Sequence, residues 1–471
     1  MPTQPTGRIS DAMVVTSPVR PRDTLWGHPK GLAYLAFAEA WERFSFYGMS
    51  ALLLLYMLQH ILTPGVAESV LGFSGLRAGI EGLTGPLSNQ AFASQMFSLY
   101  TGLVYFTPIF GGLLADRWLG QRRTVLLGAV LMAIGHFLMA FEGSFLFAIV
   151  FLIAGTGCLK GNISVQVGFL YGADQGAQRT RAFAIFSAAI NVGALLGPLL
   201  CGVLAQLYGW HVGFGAAGVL MLIALATYLG GWQHLPADRR RQRDVSAHAP
   251  LSGDDWRRVA ALLFLGAISI PACAAYFQEM NAGLLFIDAS VNRTLFGWAV
   301  PTASFNALDG LFCILAVPVL IALWRWQARR GGEAGEMAKL AIGYCIIAGA
   351  NLMMMVPAGW ADRGESVGAI WPVLLYGLNA VGFTFYWPTL LALFSRAAPS
   401  QINSTMMGTV FLSVFLGNLL VGHVATLWER MPHAQFFALN AAFAGGACVV
   451  MLLVARPISR LLTARISAGN R

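Results

Sequence analysis

Apolar stretches of about twenty residues recur along almost the whole chain, and this repetition restricts the possible folds more than any other feature. Hydrophobic residues make up 57% of the chain, whereas charged residues make up only 11%. Soluble domains usually contain about 25% charged residues. A run of about twenty apolar residues has the length of a helix that crosses a bilayer. The sequence therefore predicts an all-α membrane protein.

About twelve such runs can be distinguished. The predicted spans are 32–60, 92–115, 124–141, 146–170, 183–208, 213–232, 258–287, 302–326, 338–358, 370–395, 403–426 and 434–456. The stretch 62–90 contains prolines and several glycines, and it is predicted to be a loop with a short amphipathic segment. Because twelve is an even number, both termini are predicted on the same side of the membrane.

The longest hydrophilic stretch between two spans separates six spans from the next six. Such a chain is expected to form two packed six-helix bundles with the substrate path between them, near the middle of the bilayer. The predicted parts are a disordered cytoplasmic tail over 1–30, an N-terminal bundle over 31–232, a basic cytoplasmic linker over 233–257, a C-terminal bundle over 258–456 and a second cytoplasmic tail over 457–471.

The formal net charge is +9, and the positive side chains concentrate in alternate loops. An example is the linker, with Arg239, Arg240, Arg241 and Arg243. Basic loops stay on the cytoplasmic side, so we expect both termini to be cytoplasmic and expect no nucleic-acid partner. The six cysteines lie in apolar runs without metal-like spacing. Neither a metal site nor another cofactor is therefore predicted.

The first span contains three ionisable residues, Glu39, Glu42 and Arg43. An ionisable side chain in the middle of a membrane costs about 3 kcal/mol or more, so it has to be paired or face water. On a helix these three side chains project from the same face. Two carboxylates beside one guanidinium can exchange a proton, since neutralising one carboxylate frees the arginine for another partner. The alternative is a fixed salt bridge that holds helices together.

Lys160 lies inside the fourth span, whereas the other two lysines, Lys30 and Lys339, lie at span ends. Apolar sequence precedes Lys160 for more than one helical turn, which favours pairing inside the protein over snorkelling to the membrane surface. We predict that it handles substrate or protons, with a fixed ion pair as the alternative.

The loop between the second and third spans combines glycines with charged residues. Its candidate residues are Gly112, Asp116, Arg117, Gly120 and Arg123. Glycine permits a tight turn and close approach of helices, and an aspartate can accept hydrogen bonds from a helix N-terminus or from arginines. These residues predict a cytoplasmic latch that controls conformation.

Several motifs resemble those of a known family. The loop just described resembles the signature loop of the major facilitator superfamily. The stretch from Glu39 to Gly48, with Glu42, Arg43, Phe46 and Tyr47, resembles the ExxERFxYYG motif of the proton-coupled oligopeptide transporter (POT) family. The stretches 183–195 and 398–412 are similar to further motifs of that family. The resemblance implies the major facilitator fold and a location in the bacterial inner (plasma) membrane.

The resemblance also implies roles for single residues. Glu39, Glu42, Arg43 and Lys160 would belong to the proton-coupling and peptide-carboxylate cluster. Tyr47, Tyr105 and Asn191 would contact the peptide. For Tyr105 and Asn191, a role in helix packing remains the alternative.

The chain departs from the family pattern at several positions. The first tyrosine of the family's ExxERFxYYG motif is Phe46 here, and the glutamate that the family carries in its tenth helix is missing from the stretch 382–388. That stretch is aromatic and includes Trp387, a candidate substrate contact. Glu279 in the seventh span is a candidate replacement for the lost carboxylate, or else it faces the outer vestibule.

The predicted function is transport, not catalysis. The first hypothesis is proton-driven symport of di- or tripeptides by alternating access across the bilayer. The second keeps the carrier but changes the cargo to modified peptides, peptidic natural products or other carboxylates, with export possible. A receptor that does not transport is the third. The aromatic tenth-helix stretch motivates the second hypothesis, because it suits an apolar or N-blocked group.

Overall fold

The computed structural model describes residues 24–25, 27–172, 174–238, 251–330, 332 and 334–463. Within these ranges, eleven helical stretches are long and apolar enough to cross a membrane. The helix Gln121–Leu138 has 18 residues and adds a twelfth, whose mean hydropathy is lowered by the two arginines at its start. The prediction of an all-α protein with about twelve membrane-spanning helices is confirmed.

Eight α-helices lie in the part of the first half that the structure describes. They are α1 (Lys30–Tyr56), α2 (Phe73–Thr84), α3 (Asn89–Phe106), α4 (Pro108–Leu114), α5 (Gln121–Leu138), α6 (Phe145–Phe169), α7 (Gly176–Tyr208) and α8 (Trp210–Gly230). A π-helical turn, Met57–Ile61, extends α1, and a 3-10 turn, Glu142–Ser144, precedes α6. The helix α2 lies within the stretch where a short amphipathic segment was predicted.

Among the described residues of the second half there are seven α-helices. They are α9 (Gly253–Phe277), α10 (Ala282–Ser290), α11 (Ala307–Arg330), α12 (Glu336–Ala361), α13 (Ile370–Ala397), α14 (Asn403–Ala425) and α15 (His433–Thr463). A 3-10 turn, Gln278–Met280, interrupts the span formed by α9 and α10, and another, Thr302–Asn306, leads into α11. Three two-stranded sheets of two-residue strands lie outside the helices: Thr24–Leu25 with His28–Pro29, Val291–Asn292 with Val367–Gly368, and Thr294–Leu295 with Trp298–Ala299.

Helices pack mainly within their own half of the chain. In the first half α1 packs on α7 and α8, and α5 packs on α6. In the second half α12 packs on α13 and α15, and α9 packs on α14 and α15. The two halves meet where α3 contacts α14 and where α7 contacts α11. We call the end that carries α2 the α2 end, and the end that carries Lys30 the terminal end.

Glycines hold α1 directly against α7. A Cβ atom added to Gly193 of α7 would lie 2.7 Å from both the Cβ of Arg43 and the carbonyl oxygen of Ala40. One added to Gly197 would lie 2.4 Å from the carbonyl oxygen of Phe44. Small residues of this kind let two membrane helices approach until their backbones touch. The contact fixes the position of the charged segment of α1.

Hydrogen bonds between the two halves include several toward the α2 end. Asn281 Nδ2 donates to Ser98 Oγ at 2.9 Å, and Gln59 Nε2 donates to Asp288 Oδ2 at 2.8 Å. Ser88 and Glu429 also form a hydrogen bond. The basic cluster predicted at 239–243 and most of the two predicted tails lie outside the described residues.

Candidate functional site

Arg43 holds both carboxylates of the α1 motif inside the protein. Its Nη2 donates to Glu42 Oε1 at 2.7 Å, and its Nε donates to Glu42 Oε2. The same Nε lies 3.3 Å from Glu39 Oε1. All three side chains are buried, with exposed fractions of 2% or less. A two-pronged guanidinium–carboxylate contact is among the strongest hydrogen-bonded pairs, so Glu42 is the tightly held partner.

Glu39 is held less completely. Its Oε2 atom is buried and has no hydrogen-bond partner among the residues that the structure describes. A buried charged oxygen without a partner is costly, and adding a proton lowers that cost because it removes the charge. The two glutamates therefore differ in their contacts: Glu42 forms a two-pronged pair with Arg43, whereas one oxygen of Glu39 has no hydrogen-bond partner among the described residues.

Lys160 of α6 rests on an aromatic ring from a different helix. Its Nζ atom lies 3.8 Å from the centre of the Tyr105 ring of α3. It is also within electrostatic range of Arg43, Glu42 and Glu39. A cation over an aromatic face is stabilised by about 0.5–2 kcal/mol. The structure thus brings the four ionisable residues singled out in the sequence into one cluster.

Two acidic side chains lie in the second half of the chain. Asp309, near the start of α11, accepts a hydrogen bond from the Tyr276 hydroxyl at 2.9 Å. Glu279 is buried and accepts from Asn379 Nδ2 at 2.8 Å. Asp309 and Glu279 interact electrostatically with each other. Two negative charges in buried surroundings repel, and either a proton or a bound ammonium group relieves the repulsion.

Two tyrosines connect the basic and the acidic groups. Tyr47 of α1 is within electrostatic range of both Arg43 and Asp309. Tyr105 of α3 is within range of the same two residues. Each tyrosine is therefore near a cation of the first half of the chain and a carboxylate of the second half. A hydroxyl group can donate to a peptide carbonyl or accept from a peptide N–H.

Aromatic rings form a stack beside Asp309. Phe383 of α13 stacks on Tyr276 with ring centres 4.6 Å apart, and Trp387 stacks on Phe383 with ring centres 5.9 Å apart. Phe277 meets the edge of Tyr105 at 5.9 Å. The aromatic stretch of the tenth span therefore forms an apolar wall next to an acidic group.

Asn191 is not linked to this cluster by any contact of the described residues. Its Nδ2 donates to the Ser187 carbonyl oxygen of its own helix at 3.1 Å. A membrane helix commonly satisfies an amide side chain in this way. The substrate role implied for Asn191 remains a prediction.

The predicted latch residues surround a tight turn between α4 and α5. Gly120 has a φ of 81°, a left-handed conformation that favours glycine, and an added Cβ would lie 2.4 Å from Asp238 Cγ. Asp116 Oδ1 accepts from Gln121 Nε2 at 3.1 Å. Asp116, Arg117 and Arg123 are exposed.

The strongest contacts of this turn involve residues that the sequence did not single out. Arg122 donates its backbone N–H to Asp238 Oδ1 at 2.7 Å, and its guanidinium lies 4.1 Å from the centre of the Trp232 ring. The close approach of helices falls on Gly111 rather than Gly112. An added Cβ on Gly111 would lie 2.0 Å from the Gly157 carbonyl oxygen, whereas one on Gly112 would meet nothing within 4 Å.

Asp309 is the functional candidate that the sequence reasoning missed. The sequence does mark Asp309 as a candidate, because it is an acidic residue inside the predicted span 302–326. The argument that pointed to Glu39 and Lys160, the cost of an ionisable group within the membrane, applies to Asp309 equally.

Comparisons with known proteins decide the family. The family model PTR2, described as the POT family, matches residues 122–249 and 249–441. This chain belongs to the POT family. The peptide transporter YePEPT of Yersinia enterocolitica is 30% identical to it, over 93% of this chain and 96% of the relative. The di-/tripeptide transporter of Lactococcus lactis subsp. cremoris is 28% identical, over 93% and 97%.

Solved structures agree with this POT assignment. A mutant of the peptide transporter POT in complex with alafosfalin has 27% sequence identity and a TM-score of 0.80, over 94% of this chain and 97% of that chain. A POT family transporter in complex with 5-aminolevulinic acid has 23% identity and a TM-score of 0.80, over 93% and 98%. The predicted major facilitator fold and the resemblance to the POT family are confirmed.

Proposed function

We propose that this POT protein is a proton-coupled symporter of di- and tripeptides. One observation carries the proposal: Tyr47 and Tyr105 are each within electrostatic range of Arg43 in the first half and of Asp309 in the second half. Lys160 of the first half also lies over the Tyr105 ring. A peptide carries a carboxylate at one end and an ammonium group at the other. Opposite charges on the two bundles match these ends.

The relatives support the choice of substrate class. Those from Yersinia enterocolitica and Lactococcus lactis are named as peptide transporters, and the similar solved structure binds alafosfalin. Transport by this family needs no catalytic residue, so the charged cluster has a binding and coupling role rather than an enzymatic one.

Proton coupling rests on the difference between the two glutamates of α1. Glu39 takes the proton, because its unpartnered oxygen becomes neutral on protonation, while Glu42 keeps Arg43 in place. Each proton that moves inward down a potential of about 100 mV supplies about 2.3 kcal/mol. That energy is enough to accumulate a substrate roughly fiftyfold.

Alternating access follows from rocking of the two bundles. Contacts such as Asn281–Ser98 and Gln59–Asp288 join the halves toward the α2 end. These hydrogen bonds would have to break for the site to open toward the α2 end. The termini and the turn at Gly120 face the cytoplasm of a bacterial cell, and that turn acts as the latch.

A second cargo has a specific observation in its favour. The Tyr276–Phe383–Trp387 stack offers an apolar wall where the family carries a glutamate. Such a wall suits a blocked amino terminus or a large apolar group. Asp309 beside the same stack favours the free amine, and for this reason unmodified peptides are the first choice.

Uptake of labelled dialanine into proteoliposomes separates the two cargoes. We expect accumulation under an inward proton gradient, and inhibition by unlabelled dialanine but not by N-acetyl-dialanine. Uptake of the acetylated peptide without uptake of dialanine would support the modified cargo instead. A protonophore control has to abolish the accumulation if protons drive it.

A further inference from the structure

A second group of polar side chains lies far from the substrate site, at the α2 end of the first bundle. It consists of His60, Glu142 and His211. We propose that these three residues bind a divalent transition-metal ion of the zinc type. The proposal is independent of the transport function, because none of the three belongs to the substrate or proton cluster.

Three separate elements bring the ligands together. His60 belongs to the π-helical turn that ends α1, Glu142 begins the 3-10 turn before α6, and His211 is the second residue of α8. Single π-turns inside helices often mark functional positions. Residues at 60, 142 and 211 form no sequence motif, which is why the sequence predicted no metal site.

The ligand atoms already lie close to one another. His60 Nε2 and Glu142 Oε1 are 2.6 Å apart, and no two of the three ligand atoms are separated by more than 4.8 Å. Around tetrahedral zinc, nitrogen and oxygen ligands lie about 3.4 Å apart. The hydrogen-bonded pair therefore has to open slightly and His211 has to move inward. Both changes are small side-chain rotations, since the His60 and Glu142 side chains are 30% and 35% exposed and His211 is exposed.

Neighbouring rings orient the two imidazoles. Tyr56 stacks on His60 with ring centres 5.3 Å apart and meets His211 edge-on at 6.1 Å. The two imidazole rings are nearly perpendicular, at 86°, with centres 5.9 Å apart. Perpendicular rings let two ring nitrogens converge on one ion without a clash.

The ligand set selects the class of metal. Two imidazoles and one carboxylate suit zinc and neighbouring transition metals, whereas magnesium and calcium prefer oxygen ligands alone. Three protein ligands leave a fourth position for water. A bound ion would join the ends of α1, α6 and α8, and so would stabilise the first bundle at this end.

Binding of zinc to the purified full-length protein, with any histidine tag removed, tests the proposal. Isothermal titration with zinc chloride is expected to show one site. His211→Ala and Glu142→Gln should each weaken that site by at least about tenfold. His423→Ala is the matched control, because His423 is an exposed histidine on α14, and it should leave the affinity unchanged. Magnesium chloride should give no saturable binding.

Thermal unfolding in detergent gives an independent readout. Zinc should raise the unfolding temperature of the wild type and of His423→Ala, but not of His211→Ala. His211 is exposed, so its removal is not expected to impair folding, and size-exclusion chromatography checks this. The proposal is overturned if the wild type binds no zinc, or if His211→Ala and Glu142→Gln bind it as tightly as the wild type does.

Discussion

The Lys160 ammonium lies 3.8 Å from the centre of the Tyr105 ring, so that a cation of α6 sits on an aromatic face of α3. The contact holds the lysine in the interior without a direct carboxylate partner at salt-bridge distance among the described residues. A cation stabilised by a ring remains available to an incoming carboxylate, whereas one clamped by a glutamate would first have to release it. This arrangement suits a binding site better than a fixed ion pair.

Glu39→Gln is expected to uncouple transport from protons. The neutral amide mimics protonated glutamate, so exchange of substrate across the membrane should persist while accumulation under a proton gradient is lost. Glu42→Gln should lower both substrate exchange and gradient-driven accumulation, because Arg43 loses its two-pronged carboxylate partner. Counterflow and gradient-driven uptake in proteoliposomes measure the two activities. Glu365→Gln, in an exposed ion pair with Arg363, is the control. Full accumulation by Glu39→Gln would remove the coupling role.

Lys160→Ala is expected to weaken peptide binding roughly thirtyfold or more, because truncation of one partner in a buried charge pair costs about 2–5 kcal/mol. Lys339→Ala is the matched control. Lys339 also lies over an aromatic ring, with its Nζ atom 4.2 Å from the centre of Trp324, but it lies at the start of α12. Equilibrium binding of dialanine to purified protein measures both. Equal losses in the two variants would indicate a general structural effect.

Asp309→Asn is expected to weaken binding of dialanine by about tenfold or more, since a hydrogen bond to a charged group contributes about 1.5–3 kcal/mol. The amide keeps an oxygen that accepts from Tyr276, so the local hydrogen bond is preserved. Asp254→Asn, in an exposed pair with Arg257, should bind dialanine normally. Wild-type affinity in Asp309→Asn would contradict a role for Asp309 in binding the amine.

Gly111→Ala is expected to destabilise the protein, because its Cβ would lie 2.0 Å from the Gly157 carbonyl oxygen and the helices would have to separate. Overpacking of this kind costs about 1–3 kcal/mol. Gly112→Ala is a matched control one residue away, where an added Cβ meets nothing within 4 Å. Thermal unfolding in detergent should show a lower unfolding temperature for Gly111→Ala alone. The same decrease in both variants would contradict this packing.

Sequence reasoning located the first-half cluster because its members depend on local rules. Glu39, Glu42 and Arg43 lie on one helix, so the helical period alone brings them together, and the cost of buried charge marks Lys160. The number of spans followed from hydropathy, since each helix has to satisfy its own backbone in a bilayer.

Other features depend on how distant segments meet. The pairing of Glu279 with Asn379, and of Asp309 with Tyr276, joins residues from different helices, and no local period predicts it. The close approach at Gly111 rather than Gly112 depends on the rotation of α4 against α6, which two adjacent glycines in a sequence do not reveal. The same holds for His60, Glu142 and His211, which are brought together only by the packed bundle.

The central proposal is that cations of the first half bind the carboxylate of a peptide and that acids of the second half bind its amine. A functional-group cycle tests this most directly, by measuring the binding of dialanine, alanyl-alaninamide and N-acetyl-dialanine to the wild type, Lys160→Ala and Asp309→Asn. Alanyl-alaninamide lacks the free carboxylate and N-acetyl-dialanine lacks the free amine, so each should bind the wild type more weakly than dialanine does. In Lys160→Ala we expect the difference in affinity between dialanine and alanyl-alaninamide to disappear, while the difference for N-acetyl-dialanine remains. In Asp309→Asn we expect the reverse. Equal effects of both substitutions on both differences would contradict the proposal.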